Sequence, residues 1–219
     1  MTERRVVVTG MGCVTPLGND LPTTWRNLVD GKNGSGPITK FDTTDFKAKL
    51  AAEVRDFDPK LYMEKPQILH SDLYAQLAMA AAVQAMEDSS MGVYIGTGIG
   101  GIQTFEAEHS KLLNKGPRRV SAYFIPMMIA NIASSMIAIR YGCMGPAMPA
   151  VTACASGSNA IGEALRVVRH GYADAMICGG AEATVTPLAA AGFCNMQALS
   201  TSEDPDAASL PFDARRGLW

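Results

Sequence analysis

A chain of 219 residues, 47% of them hydrophobic and 18% charged, can bury a sizeable core within one large domain or two small ones. A formal net charge of -2 excludes bulk attraction to nucleic acid or to an anionic membrane surface. Five cysteines, at 13, 143, 154, 178 and 194, form no CxxC pair, which suits the reduced thiols of a cytoplasmic protein better than a disulfide framework.

No segment is apolar for long enough to be a signal peptide or a membrane span. The longest candidate, "IPMMIANIASSMIAIRYG", is interrupted by Asn131, Ser134, Ser135 and Arg140. In chain order, "RRVVVTG" predicts a buried strand ending at Gly10. "NDLPTTWRNLVDG" predicts a helix capped near Asp20, with Leu21, Trp25, Leu28 and Val29 on its apolar face and Gly31 at its end. Residues 32–70 carry irregular Gly, Pro and Asp punctuation and read as a long excursion. Ser71 and Asp72 open an alanine-rich helix to about Glu87, and "GVYIGTG" is the next strand. After a further irregular segment, Pro126 starts a helix that closes at Gly142. "AMPAVTA" and "ADAMICGG" supply two more strands, with a helix between them. Strands alternating with helices predict an α/β fold, a mostly parallel sheet covered on both faces, in one domain over 1–219.

Three patterns carry candidate chemistry. Gly96, Gly98 and Gly101 satisfy G-x-G-x-x-G after a strand, the form of a dinucleotide-binding loop. The acid expected about 20 residues further on is replaced by "KGPRRVSAYF", so a strand-end loop with close backbone contacts is the stronger expectation and no cofactor is predicted. The histidines at 70, 109 and 170 and the cysteines show no ligand spacing, and no metal is predicted. Cys154 is the third. It follows Val151-Thr152-Ala153 and precedes a helix with Ile161, Ala164, Leu165 and Val168 at helical spacing. Ser156 or Ser158 can cap that helix, and Ser156 lacks the G-x-S-x-G setting of a nucleophilic serine. A thiol before a helix N-terminus faces unpaired N–H groups and the positive end of the dipole, which favour the thiolate and a developing oxyanion. Position alone leaves Cys154 open between a nucleophile and a buried structural cysteine.

The segments "RRVVVTGMGCVTPLGND", "GVYIGTGIGG", "GPRRVSAYFIPMMIANIAS", "YGCMGPAMPAVTACASGSNAIGEALRVVRHGYADAMICGGAEA" and "TPLAAAGFCNMQALST" together resemble the N-terminal half of the elongating β-ketoacyl-[acyl-carrier-protein] synthases, over nearly the whole chain. The resemblance implies a thiolase-like fold, one βαβαβαββ-type half of a five-layered pair. It also implies a cytoplasmic acyltransferase of fatty-acid biosynthesis. An acyl group passes from acyl carrier protein to Cys154, and decarboxylative condensation with a malonyl-carrier thioester follows. Ile99 and Phe193 match acyl-pocket residues, and Phe124 matches one that reaches the pocket across a homodimer interface. Arg118 and Arg119 match a basic site for the acidic carrier. Two histidines, a lysine and a Gly-rich loop of the family's second half have no counterpart here, so an incomplete catalytic set is expected. A non-catalytic half acting as scaffold or partner subunit is the alternative.

Overall fold

The computed structural model describes residues 4–86 and 91–216. In chain order the first elements are α1 (Leu21–Val29), β1 (Ser35–Pro37), β2 (Leu50–Ala52), α2 (Lys65–Leu69), α3 (Leu73–Ala85) and β3 (Gly92–Gly96). They are followed by α4 (Ile102–Lys115), α5 (Phe124–Met128), α6 (Ile132–Tyr141), β4 (Ala147–Ala150), α7 (Ser156–Arg169), β5 (Met176–Gly180) and α8 (Pro187–Asn195). The chain divides into two compact units, residues 1–13 with 58–183, and residues 14–57 with 184–219.

The first unit is built on a parallel sheet in the order β4-β3-β5. All five residues of central β3 are buried, as expected where both sheet faces are covered. α7 packs against all three strands, and α6 packs on β3 and β4 with α3 outside it. Small residues set the spacing. Ala160 and Ala164, one turn apart, lie against Tyr94 in the buried cluster beneath α7. Ser134, which interrupts the apolar run, is buried: its hydroxyl accepts from Ile95 N at 3.1 Å and donates to Met148 O at 3.0 Å, joining β3 to β4.

Several expectations need correction. Residues 4–14 form no strand, and Val7 and Val8 are exposed. A β-branched run is extended into a strand by the neighbours it packs and pairs with, and among the described residues the sheet's three strands pair only with each other. The helix expected from Pro126 to Tyr141 is two helices. Pro126 lies in the first turn of α5, where its missing N–H costs nothing. At the break between them, Met128 O accepts from Gly101 N at 2.9 Å and Ile129 O from the Tyr74 hydroxyl at 2.7 Å. The segment read as irregular after β3 contains α4. Its N-cap, Gly101, offers no side chain, and the cap comes from afar: buried Asp72 accepts from Thr104 N at 2.8 Å and Thr104 Oγ1 at 2.7 Å. The same carboxylate accepts from Tyr74 N at 3.3 Å, capping α3 as expected. Glu87, the predicted end of α3, lies outside the described residues.

In the second unit α1 begins at Asp20, whose Oδ1 accepts from Thr23 N at 2.7 Å, and stops before Gly31, at φ 69°. Its predicted apolar face is not covered: Trp25, Leu28 and Val29 are exposed. The excursion over 32–70 holds the antiparallel pair β1–β2 and, within the first unit, α2. Buried Glu53 ties the turn after β1 to β2 by accepting from Thr39 Oγ1 at 2.7 Å.

Candidate active site

The loops that follow β3, β4 and β5 meet at the carboxyl edge of the parallel sheet, where ligands bind in open α/β folds. β4 ends at Ala150, and Ala153–Ala155 form one 3-10 turn before α7. Cys154 is the middle residue of that turn and is exposed. The turn is tight. Ala153 has φ 53°, in the left-handed region that a residue with a Cβ rarely adopts.

Ser156 holds this conformation. Its hydroxyl accepts from Thr152 N at 2.9 Å and donates to Ala153 O at 2.6 Å, with Thr97 O a second acceptor at 3.2 Å. Ser156 is buried, so it braces the turn and is not a rival nucleophile. The expected Ser caps are replaced by Ala155, which has no capping side chain. The first turn of α7 lies directly on the sheet because glycines leave room. A Cβ on Gly96 would overlap the Ser156 carbonyl, and one on Gly180 would stand 2.8 Å from Gly157 Cα. The helix stripe is corrected accordingly: Ser156, Ala160 and Ala164 are buried, whereas Ile161 and Leu165 are exposed.

The glycine-rich loop has the strand–loop–helix context of a dinucleotide fingerprint, but its amides are in use. Glu182 Oε2, just after β5, accepts from Gly98 N at 2.6 Å and from Ile99 N and Thr97 Oγ1 at 3.3 Å each. Thr97 Oγ1 in turn accepts from Gly100 N at 3.2 Å. The N–H groups that a pyrophosphate would need already hold a carboxylate of the protein itself. Thr97 therefore connects all three strand ends, through its hydroxyl to Glu182 and through its carbonyl to Ser156. Sequence reasoning missed Thr97 and Glu182. The available signal was one carboxylate in the small-residue run "CGGAEAT" directly after a strand.

The loops that carry Cys154 and Ile99 approach one another at this edge, where a Cβ on Gly98 would lie 3.6 Å from Ala153 O. Phe124 opens α5 and packs on Phe105 of α4, ring centroids 6.4 Å apart. Arg118 and Arg119 are exposed on a 3-10 turn after α4, where they line a cavity of about 250 Å³ with Lys111 and Lys115. Buried Glu108 fastens this turn to α4, accepting from Lys111 Nζ at 2.5 Å and Ser121 N at 2.7 Å. Phe193 is half-buried on α8 in the second unit. The other four cysteines are half-buried, and burial pushes the thiols of Cys178 and Cys143 above their ordinary value. Among the described residues no three His, Cys, Asp or Glu side chains are grouped to hold a metal ion, and no helix is long and apolar enough to cross a membrane.

Residues 3–219 match the family model described as "Beta-ketoacyl synthase, N-terminal domain". The chain is 48% identical over 227 residues to 3-oxoacyl-[acyl-carrier-protein] synthase 2 of Synechocystis sp. (strain ATCC 27184 / PCC 6803 / Kazusa), covering 99% of this chain and 55% of that protein. Its identity to the enzyme of that name in Coxiella burnetii (strain RSA 493 / Nine Mile phase I) is 47%, with the same coverage of each. The chain thus spans about half the length of the curated relatives it matches. Among solved structures, a beta-ketoacyl synthase from Burkholderia phymatum STM815 superposes with TM-score 0.85 at 28% identity, over 97% of this chain and 55% of that one. The ishigamide ketosynthase/chain length factor gives 0.80 at 28% identity, over 89% and 51%. The parallel sheet with its helices is the thiolase-like arrangement of the ketosynthases.

Proposed function

Because the chain belongs to the beta-ketoacyl synthase family, matching its N-terminal domain, we propose that it carries the acyl-accepting part of a fatty-acid-elongating ketosynthase, with Cys154 as the catalytic nucleophile. The observation that carries this is the exposed thiol on a strained turn at the carboxyl edge of the sheet, immediately before α7. A Cys154 thiolate attacks the carbonyl of an acyl thioester on acyl carrier protein. The tetrahedral oxyanion collapses, the carrier thiol leaves, and the acyl group remains on Sγ. In the whole protein, a malonyl-carrier thioester then loses carbon dioxide and its carbanion attacks the acyl-cysteine, giving a 3-ketoacyl chain two carbons longer.

Ile99 and Phe193 serve as acyl-pocket residues and Phe124 as the residue that crosses a homodimer interface. The homodimer is supported by β4, which among the described residues is an edge strand paired only with β3, and by exposed Met148 and Val151 in and after it. Unpaired strand edges are templates for a second chain. Arg118 and Arg119, with their lysine neighbours, receive the acidic carrier. The free state of all five cysteines supports a cytoplasmic location.

Intact-protein mass spectrometry after incubation with an acyl thioester tests the assignment. One acyl mass is expected on the wild-type chain and none on Cys154→Ser. Acylation at another residue overturns the nucleophile assignment, and absence of acylation favours the scaffold alternative.

A further inference from the structure

The exposed carboxylate of Glu182 joins the end of β5 to the loop after β3, and it has no part in the proposed acyl transfer itself. One oxygen, Oε2, takes the N–H groups of two consecutive residues, Gly98 and Ile99, together with the Thr97 hydroxyl. Gly98 is shaped for this contact, since a Cβ there would stand 2.9 Å from that same oxygen. On its other side the loop is gripped by the α5–α6 break: Gly101 N donates to Met128 O at 2.9 Å, and Gly100, at φ 81°, is pressed on the Met128 carbonyl and Ala130. The Gly-rich segment is thus clamped from two elements, and the clamp at its centre is a set of hydrogen bonds to one carboxylate oxygen.

We propose that Glu182 is a positioning residue that holds Ile99 at a fixed distance from Cys154 and so sets the size of acyl chain admitted to the thiol. The proposal rests on the acyl-site assignment of Cys154 and Ile99. Glu182 acts through the loop backbone and not on the substrate. Ile99 follows Gly98 directly, and Gly98 borders Ala153, the residue before the nucleophile. Freeing the two amides therefore releases the one side chain of this loop, Ile99, that is both large and 43% exposed. A carboxylate suits the task because hydrogen bonds to a charged acceptor are about twice as strong as neutral ones.

Two measurements on the 219-residue chain test this without needing acyl transfer. Hydrogen exchange reads the Gly98 and Ile99 amides. Peptide mass spectrometry of Cys154 after competing N-ethylmaleimide and N-octylmaleimide reads the space beside the thiol. Glu182→Ala should speed exchange at both amides roughly tenfold, the loss of one charge-assisted bond, and raise the octyl-to-ethyl labelling ratio at least about threefold. Glu182→Gln keeps an acceptor oxygen at the same reach and should restore most of the wild-type ratio, which general destabilisation would not do. If Glu182→Ala fails to fold, Thr97→Val removes only the hydroxyl that links Glu182 to Gly100 N, and should shift both readouts in the same direction. An unchanged labelling ratio in the folded variant, or faster exchange with no rescue by glutamine, overturns the proposal. Failure of the wild-type chain to take an acyl group would count against the function proposed above and leave these two readouts standing.

Discussion

After β3 the chain uses Thr97–Gly101 for a loop whose amides are bonded to its own carboxylate, whereas after β4 it uses Val151–Ala155 for a turn that presents a thiol. The two loops leave neighbouring parallel strands at the same edge of the sheet, and each is followed by a 14-residue helix. The one that matches a ligand-binding fingerprint is filled by the protein. The one that matches none carries the candidate chemistry. Glycine spacing reports how closely backbones approach; what the approach is used for depends on which side chain arrives from a third strand.

The comparison breaks most completely at Gly96, which ends β3 and touches the first turn of α7. Gly96→Ala pushes a methyl into the Ser156 carbonyl and should disturb both loops together, costing about 3 kcal/mol by overpacking. Urea denaturation checks it as a lowered midpoint at constant slope. Ser156→Ala separates the loops. It removes the bonds to Thr152 N and Ala153 O and should cost about 2 kcal/mol, while Glu182 still protects the Gly98 amide in hydrogen exchange.

A smaller effect sharpens the thiol's side of the comparison. At pH 7 iodoacetamide should label Cys154 roughly tenfold faster than Cys178 or Cys143, because those two are held above their ordinary value by burial. Raised thiols gain thiolate only at higher pH, so the difference should narrow as pH rises. Peptide mapping at pH 7 and pH 9.5 reads both rates, and equal labelling at pH 7 would contradict the assignment. The smallest effect lies at the far end of α4. Glu108 is held below the usual carboxylate range by Lys111 and then by the Ser121 amide. A depressed carboxyl contributes stability that is present above its unfolded value and lost as pH falls through its folded value. Hydrogen exchange at Ser121 should therefore accelerate only below the ordinary carboxylate range, and Glu108→Gln should remove that pH dependence.

The three strands of the sheet were legible because each is a short apolar run with glycine or proline at an end. The placement of Cys154 between β4 and α7 was legible because a helix start follows it so closely, whereas its role as nucleophile came from the family resemblance. What escaped the sequence is what depends on distant partners. α4 lacked a local cap, since its cap is Asp72, thirty-two residues earlier. "RRVVVTG" has strand composition, yet a strand is made by pairing that composition does not supply. The outward direction of Ile161 and Leu165 was hidden because a glycine-floored helix seats its alanines, and not its largest residues, on the sheet. Glu182 was passed over as one acid in a run of small residues, and only the fold brings its oxygen to the loop after β3.

Ala153 has a consequence for how a reactive partner is met. A residue with a side chain in the left-handed region stays there only when its surroundings leave it no alternative, and here Ser156 fastens the turn on both sides of Ala153. Such a turn has little compliance. A reagent that meets the exposed Cys154 thiol therefore meets it on a fixed stretch of backbone, with rotation about the Cα–Cβ bond as the adjustment left to the sulfur.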